Sequence, residues 1–165
     1  MEAIIDKAVA DGTKIDAILA ENDSTALGVV GALTAKSYGY PPLSGQVGDP
    51  ANLNNVALGK QYVDVFKNAN ELGKATGAAA LALCAGTQMA DLTLPDGLID
   101  ASVAPVAGLS AQDFKTPGGT TVKSFILQPT PLTADTLQLA LDAGQITKEA
   151  LCKGVDPATG PAACK

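Results

Sequence analysis

The side chains most able to bind a ligand occur in small groups, each just after a short apolar run. These polar residues are Asn22 and Asp23, then Gln46 and Asp49, and then Lys67 and Asn68. A carboxylate accepts hydrogen bonds from two adjacent hydroxyl groups, and amide and ammonium groups supply the matching donors. Such a set favours the binding of a polyhydroxylated ligand, provided that the groups converge in the fold.

Apolar patterning predicts that they do converge. Strands are predicted at 15–20, 42–45 and 62–66, each of them a short and mostly apolar run. Helices are predicted between and after these strands, because apolar residues recur there with helical spacing. The alternation indicates an α/β fold with a parallel sheet between two layers of helices. In such sheets ligands bind beyond the carboxyl ends of the strands, where these polar residues lie.

Each of these residues also has an ordinary structural interpretation. Asp23 could cap the helix that follows it, and Asp49 precedes Pro50, the favoured order at a helix start. Gln46 and Lys67, taken singly, would be ordinary solvated residues. Their shared position at strand ends favours the binding interpretation for the set.

The composition excludes several classes of function. A net charge of −6 argues against nucleic acid and anionic membranes as partners, since both require a basic surface. No apolar run reaches the roughly 18 residues of a membrane-spanning helix. The chain has no histidine, which excludes histidine-based catalytic triads and most zinc sites. It also has no nucleophile elbow and no phosphate loop, so we expect no enzyme, no metal and no cofactor.

The cysteines indicate an oxidising compartment. Cys152 and Cys164 flank a segment rich in Gly, Pro and Ala, and we expect a disulfide between them. The alternative is a pair of free thiols. Cys84 lies in an apolar helical pattern and is expected to be a small buried hydrophobe.

Several segments resemble the type I periplasmic sugar-binding proteins of ABC transporters, in particular their xylose-binding branch. The segment 15–26 resembles the family's strand, Asn-Asp pair and helix start, and 43–46 resembles its strand that ends in Ser-Gly-Gln. The segment 59–67 is similar to the family's hinge strand, which ends in an aromatic residue and Lys. The segment 131–137 is similar to a late helix start.

The resemblance covers most of 1–90 and about 120–152, and it implies the carboxyl-terminal part of a sugar receptor. The implied ligand is a monosaccharide, a xylose-like pentose or a related sugar. The resemblance further implies that Asn22 and Asp23 touch the sugar and that Lys67 acts near the hinge. The implied partner is the permease of an ABC importer, and the implied location is periplasmic or extracellular.

One position departs from the family pattern. The Asp that directly follows Ser-Gly-Gln in the family is Val47 here, and the nearest carboxylate is Asp49. Either Asp49 substitutes for the family's Asp, or that contact with the sugar is lost. The identity of the sugar therefore stays open.

We expect residues 1–152 to form one substrate-binding lobe with an irregular insertion at 88–120, and 153–165 to form a tail tied by the disulfide. The lobe is expected to be incomplete at its amino-terminal side, because its opening strand and helix, like the family's whole first lobe, have no counterpart here. We therefore expect association with a missing first lobe or self-association. The first residues lack the basic and apolar regions of a signal peptide, so none is expected within this chain.

Two other classes of protein stay open. The effector-binding domain of a LacI-type transcription regulator shares the predicted fold, but it would need a basic DNA-binding headpiece, which the sequence lacks. An unrelated flavodoxin-like binding module would bind flavin tightly and would not bind sugar.

Overall fold

A computed structural model describes residues 1–100 and 110–165. The chain forms two compact units, one made of 1–66 together with 131–165 and the other of 67–130. In chain order the elements are α1 (Glu2–Asp11), α2 (Asp23–Ala35), β1 (Ser44–Val47), α3 (Pro50–Ala57), β2 (Val63–Phe66), α4 (Ala69–Cys84), β3 (Gln112–Lys115), β4 (Thr121–Ser124), β5 (Thr130–Leu132), α5 (Gln138–Asp142) and α6 (Lys148–Leu151). The expected division into a lobe, an insertion and a tail stays a prediction.

The first unit is built on a parallel sheet. β1 and β2 run parallel, in a register that extends from Ser44 opposite Val63 to Val47 opposite Phe66. β5 lies on the other side of β2, which gives the strand order β1-β2-β5. α3 supplies the crossover that a parallel connection between β1 and β2 requires. The α/β class predicted from the alternating pattern is confirmed.

Within the described structure, the segment predicted as the first strand, 15–20, pairs with the sheet at one residue, where Ile18 makes an isolated parallel bridge to Leu43. The ladder ends there because the side chain of Ser44, and not a backbone group, bonds the next paired residue of the segment, Ala20. The hydroxyl of Ser44 accepts from the amide of Ala20 at 2.9 Å and donates to the carbonyl of Ala20 at 3.0 Å. The segment is therefore extended beside the sheet, but its ladder is shorter than predicted.

Two hydrophobic clusters hold the helices of the first unit against the sheet. One gathers α1 and α2 around Leu43, and its buried members are Ile5, Ala20, Ala26, Val29, Val30, Ala32, Leu33 and Leu43. The other gathers α3, α5 and α6 around β2 and β5, and its buried members are Leu53, Val56, Ala57, Phe66, Leu132, Leu137, Ala140, Ile146, Leu151 and Ala163. Each fully buried large side chain stabilises the fold by about 1.5–3 kcal/mol, so these clusters are the main source of its stability.

The carboxyl-terminal tail is tied to the first unit. Cys152 and Cys164 form a disulfide, as the sequence predicts. Ala163 is 7 % exposed and packs in the second cluster, and the ammonium of Lys148 donates to the carbonyl of Lys165 at 2.7 Å. The tail is therefore packed by apolar, polar and covalent contacts together.

The second unit consists of α4 followed by short extended segments. β3 and β4 pair as an antiparallel hairpin, with Gln112 opposite Ser124. A small hydrophobic cluster of Ala75, Leu94 and Ile99 lies under α4. The predicted insertion at 88–120 falls in this unit, and its central part, 101–109, lies outside the described residues.

The prediction that Cys84 is buried was wrong, because the free thiol at the end of α4 is exposed. α4 is rich in alanine and leucine on every side, so its apolar pattern does not identify a buried face. Its buried residues are Glu71 and Ala75, and Leu81 is 74 % exposed. No helix in 1–100 or 110–165 combines the length and the apolar character needed to cross a bilayer.

Candidate functional site

The loop 47–49, which follows β1, is held by a carboxylate from the start of α2. Oδ2 of Asp23 accepts hydrogen bonds from the backbone amides of Gly48 at 3.0 Å and of Asp49 at 2.7 Å. A charged acceptor strengthens both bonds. Two of the three predicted groups of polar residues therefore meet, at the carboxyl end of β1.

The start of α2 explains how Asp23 comes to point at this loop. Asn22 has extended backbone angles and caps the helix, since its Oδ1 accepts from the amide of Thr25 at 2.9 Å. Asp23 is then the first helical residue, so its side chain is free of capping and turns inward, where it is 1 % exposed. The alternative role considered for Asp23, that of a helix cap, is filled by Asn22 instead.

The loop is also fixed from two other sides. Gly48 has φ 95°, and a side chain there would lie 2.5 Å from the ring of Phe66, so this position needs glycine. Nε2 of Gln145 donates to the carbonyl of Gly48 at 2.9 Å. Val47 takes φ 134°, a conformation that is rare for a β-branched residue, and its side chain is 38 % exposed.

A buried polar cluster lies beneath the loop. Asp64 of β2 is fully buried opposite Gly45, and its Oδ2 accepts from Nε2 of Gln61 at 3.1 Å. Oε1 of Gln61 accepts in turn from Nδ2 of Asn52 at 3.0 Å, and the same nitrogen lies 3.2 Å from the carbonyl of Asp23. We call Asp23, Asn52, Gln61 and Asp64 the buried polar cluster.

Gly45 makes room for this cluster. A Cβ atom at this position would lie 2.3 Å from Nε2 of Gln61, 2.7 Å from Oδ1 of Asp23 and 3.2 Å from Oδ2 of Asp64. The absence of a side chain on β1 is what allows two carboxyl groups to lie together against the sheet. Glycine is therefore required at this position of the Ser-Gly-Gln segment, because a side chain would clash with the buried polar cluster.

Burial raises the pKa of the Asp64 carboxyl from its ordinary 3.8 to about 7, and the hydrogen bond and negative charge of Asp23 add to this rise. Hydrogen bonds from the side chain of Gln61 and the backbone of Gly48 act in the opposite direction. A carboxyl that is buried beside a second carboxylate holds its proton more tightly, since two adjacent negative charges in a dry site repel each other.

The structure places the remaining predicted residues as follows. Gln46 is half-buried in β1, and Asp49 is exposed at the cap position of α3 without making a side-chain capping bond. Lys67 is exposed, follows β2 directly in the chain and belongs to the second unit. No group of acidic, histidine or cysteine side chains in 1–100 or 110–165 is arranged to hold a metal ion.

Sequence reasoning missed three residues that shape this site. Asp64 carried a signal, because a carboxylate in the middle of the apolar run Val63–Phe66 needs a buried partner. Gln61 and Gln145 carried none, since both occur in polar turns where glutamine is ordinary.

One curated protein is similar to the chain in sequence. Over 93 residues, or 55 % of this chain, the sequence is 39 % identical to the D-xylose-binding periplasmic protein of Escherichia coli strain K12. The chain covers 28 % of that protein. No protein-family model matches the chain.

Two solved structures share its fold. An ABC transporter solute-binding protein from Clostridium phytofermentans, with bound β-D-glucose, matches 91 % of this chain at 32 % identity and a TM-score of 0.69. A carbohydrate transporter solute-binding protein from Chloroflexus aurantiacus, in complex with D-glucose, matches 90 % at 24 % identity and a TM-score of 0.68, which supports the fold alone. The chain spans 41 % and 38 % of those two proteins, less than half of either. The similar proteins are binding proteins rather than enzymes, and the resemblance to sugar-binding proteins of ABC transporters is confirmed.

Proposed function

We propose that this chain, which is similar in sequence and fold to the sugar-binding proteins of ABC transporters, supplies part of a monosaccharide-binding site. The observation that carries the proposal is the contact of Asp23, which follows Asn22, with the loop 47–49 at the carboxyl end of a parallel strand. Parallel α/β sheets bind ligands at this edge. One similar protein is a D-xylose-binding protein, and another holds bound β-D-glucose.

The polar groups proposed to contact the sugar are those that can reach solvent. In the first unit, Asn22 and Gln46 are half-buried and Asp49 is exposed. Lys67 belongs to the second unit, is exposed, and stays a separate prediction. The Oδ1 atom of Asn22 caps α2, while its amide nitrogen makes no hydrogen bond within the described chain and can donate to a hydroxyl. The carboxylate of Asp49 can accept from one or two hydroxyls.

Asp23 has a different part in this proposal from the one expected from the sequence. Its side chain is 1 % exposed and its Oδ2 is occupied by two loop amides. Direct contact with a sugar would require the loop to move. We therefore assign Asp23 to the positioning of the loop, while contact in a rearranged state stays part of the proposal.

The finer assignments are a xylose-like pentose or related sugar as ligand, an ABC importer permease as partner, and a periplasmic or extracellular location. Xylose is favoured by the curated relative, and glucose by the bound ligand of a similar structure. The disulfide between Cys152 and Cys164 supports an oxidising compartment. The net charge of −6 argues against nucleic acid as a partner.

A direct test is a two-dimensional NMR titration of the chain with D-xylose, D-glucose and flavin mononucleotide in turn. We expect either sugar to shift the amides of 47–49 and of Asn22, and flavin to shift nothing. Asp49→Asn should weaken sugar binding about two- to tenfold, because a hydrogen bond is worth about 0.5–1.5 kcal/mol net. Asp11→Asn, which makes the same change at an exposed position of α1, is the control.

Sugar titrations that shift no amide at this edge would contradict the proposed function. Saturable flavin binding without sugar binding would instead support the flavodoxin-like alternative. Equal weakening by Asp49→Asn and Asp11→Asn would show that general charge, and not the loop carboxylate, governs binding.

A further inference from the structure

The buried polar cluster joins two carboxyl groups from different elements at the base of the loop. Asp23 comes from the first turn of α2 and Asp64 from the middle of β2, and both are almost fully buried. A Cβ atom placed on Gly45 would lie 2.7 Å from Oδ1 of Asp23 and 3.2 Å from Oδ2 of Asp64, so the two carboxyl groups lie side by side. Two carboxylates can share a hydrogen bond only when one of them carries a proton, since an ionised carboxyl has no donor.

The rest of the cluster gives no positive charge to offset two negative ones. α3 contributes the neutral Asn52, the segment before β2 contributes the neutral Gln61, and β1 contributes Gly45, which has no side chain. The loop contributes the backbone amides of Gly48 and Asp49, and the Asp49 side chain is exposed. Among the described residues no lysine or arginine forms an ion pair with either carboxyl.

Each of the two carboxyl groups has one oxygen that meets no hydrogen-bond donor in the described structure. These oxygens are Oδ1 of Asp23 and Oδ1 of Asp64, and both are buried. Oδ2 of Asp23 already accepts from two loop amides, whereas Oδ2 of Asp64 accepts from one side-chain amide. Asp64 is therefore the carboxyl better placed to carry a proton and donate it.

We propose that Asp23 and Asp64 share a single proton and that this proton latches the loop 47–49 to α2. While Asp64 is protonated, it donates to Asp23 and holds that carboxylate under the amides of Gly48 and Asp49. When the proton leaves, two buried negative charges repel each other and Asp23 moves away, so both amides lose their acceptor. Asp64 is thus a positioning residue for the loop.

The effect of the latch on ligand binding rests on the proposed function, whereas the latch itself rests on the geometry alone. The rise of the Asp64 pKa to about 7 places the release of the proton near neutral pH. A receptor built this way would present its loop in one arrangement in mildly acidic surroundings and in another above neutrality. The remaining contact, from Gln145 to the carbonyl of Gly48, does not depend on the proton.

The latch is tested by NMR on the whole chain between pH 5 and pH 9, with the carboxyl carbon of Asp64 and the amides of Gly48 and Asp49 as probes. In the natural sequence we expect all three signals to change together, with a midpoint near pH 7. In Asp64→Asn the side-chain amide can donate to Asp23 at every pH, so the two loop amides should keep their low-pH positions throughout. Asp11→Asn, the surface control, should keep the midpoint of the natural sequence.

A carboxyl carbon of Asp64 that titrates below pH 5, or loop amides that do not follow it, would overturn the proposal. So would an Asp64→Asn chain whose loop amides still shift near pH 7. The carbon measurement needs only the natural sequence, so the proposal stays falsifiable if the variant fails to fold.

Sugar affinity measured at pH 5.5 and pH 8.5 separates the latch from the proposed function. We expect affinity for D-xylose or D-glucose to change at least threefold in the natural sequence and to stay constant in Asp64→Asn. No sugar binding at either pH would contradict the proposed function but leave the latch intact. Binding with the same affinity at both pH values would overturn the control of binding by the latch.

Discussion

At the scale of single residues, the buried carboxyl of Asp64 couples the stability of the fold to pH. Its pKa is about 7 in the folded chain and an ordinary 3.8 once the chain unfolds, so the folded state holds a proton that the unfolded state releases. The resulting stabilisation is fully present below about pH 4 and falls as pH rises through 7. Such a rise in pKa corresponds to at most about 4 kcal/mol, at about 1.4 kcal/mol for each pH unit.

We therefore predict that Asp64→Asn is more stable than the natural sequence above pH 7 and that the difference shrinks as pH falls toward 4. Urea unfolding at several pH values measures it, and the difference between the two chains removes the contribution of the other carboxyls. A constant difference in the free energy of unfolding across this range would contradict the assignment.

Gly45 gives a second prediction at this scale. Gly45→Ala puts a methyl group 2.3 Å from Nε2 of Gln61 and 2.7 Å from Oδ1 of Asp23. Both side chains are buried, so they must shift to make room for it. We expect a loss of about 1–3 kcal/mol, the usual cost of overpacking. Gly28→Ala in α2 is the matched control, since nothing lies within 4 Å of the added carbon, and it should stabilise by up to about 1 kcal/mol. Thermal unfolding of both variants compares them, and a harmless Gly45→Ala would show that the cluster is looser than its distances indicate.

At the scale of secondary-structure elements, local patterns predicted the order of elements well. Alternating apolar runs identified β1, β2, α2 and α4 because the periodicity of each element depends only on its own residues. The pairing of 15–20 could not be predicted in this way, since it depends on the hydroxyl of Ser44, a residue on another segment.

The candidate site shows the same limit. The Asn-Asp pair and the Ser-Gly-Gln segment marked where the chain turns at the edge of the sheet. The bond from Gln145 to Gly48 spans 97 positions, and no local pattern records a contact of that separation. Asp23 was recognised as important, but its role depends on which way the first helical residue points, which only the packing decides.

The disulfide gives a prediction about the last elements. Cys152→Ser together with Cys164→Ser should lower the free energy of unfolding by about 3 kcal/mol. The disulfide joins residues 12 positions apart, and closing a loop of this length lowers the entropy of the unfolded chain. Loss of the bond would also loosen the packing of the tail, since Ala163 lies within the closed loop and packs in the hydrophobic cluster that contains Leu151. Thermal unfolding with and without a reducing agent measures the effect.

Two comparisons make that measurement specific to the bond. The double variant should be insensitive to the reductant, while the natural sequence loses stability in its presence. Cys84→Ser, which removes the exposed free thiol, should behave as the natural sequence does. A natural chain whose unfolding temperature does not respond to reductant would mean that the bond contributes nothing to stability.

At the scale of the whole molecule, the first unit exposes apolar side chains on α1 and on the extended segment 15–20. Leu19 is 91 % exposed, and Ile4 and Val9 of α1 are 61 % and 64 % exposed. The segment 15–20, next to α1 in sequence, has one backbone bridge, at Ile18, within the described structure. Unpaired extended segments and exposed apolar residues promote pairing with another chain.

We therefore predict that the purified chain self-associates through this edge and binds a monosaccharide only weakly, with a Kd near the millimolar level, or about −4 kcal/mol. Weak binding follows from the open site, because the exposed carboxylate of Asp49 exchanges a bond with water for a bond with a hydroxyl at little net gain. Light scattering over a range of protein concentrations measures the association, and the NMR titration measures the affinity.

Leu19→Lys should shift the chain toward monomer without loss of stability, since the side chain of Leu19 is almost fully exposed. Leu81→Lys on α4, where the side chain is 74 % exposed, should leave association unchanged. A chain that stays monomeric at high concentration and binds a pentose at micromolar level would show that the first unit needs no partner to form a complete site.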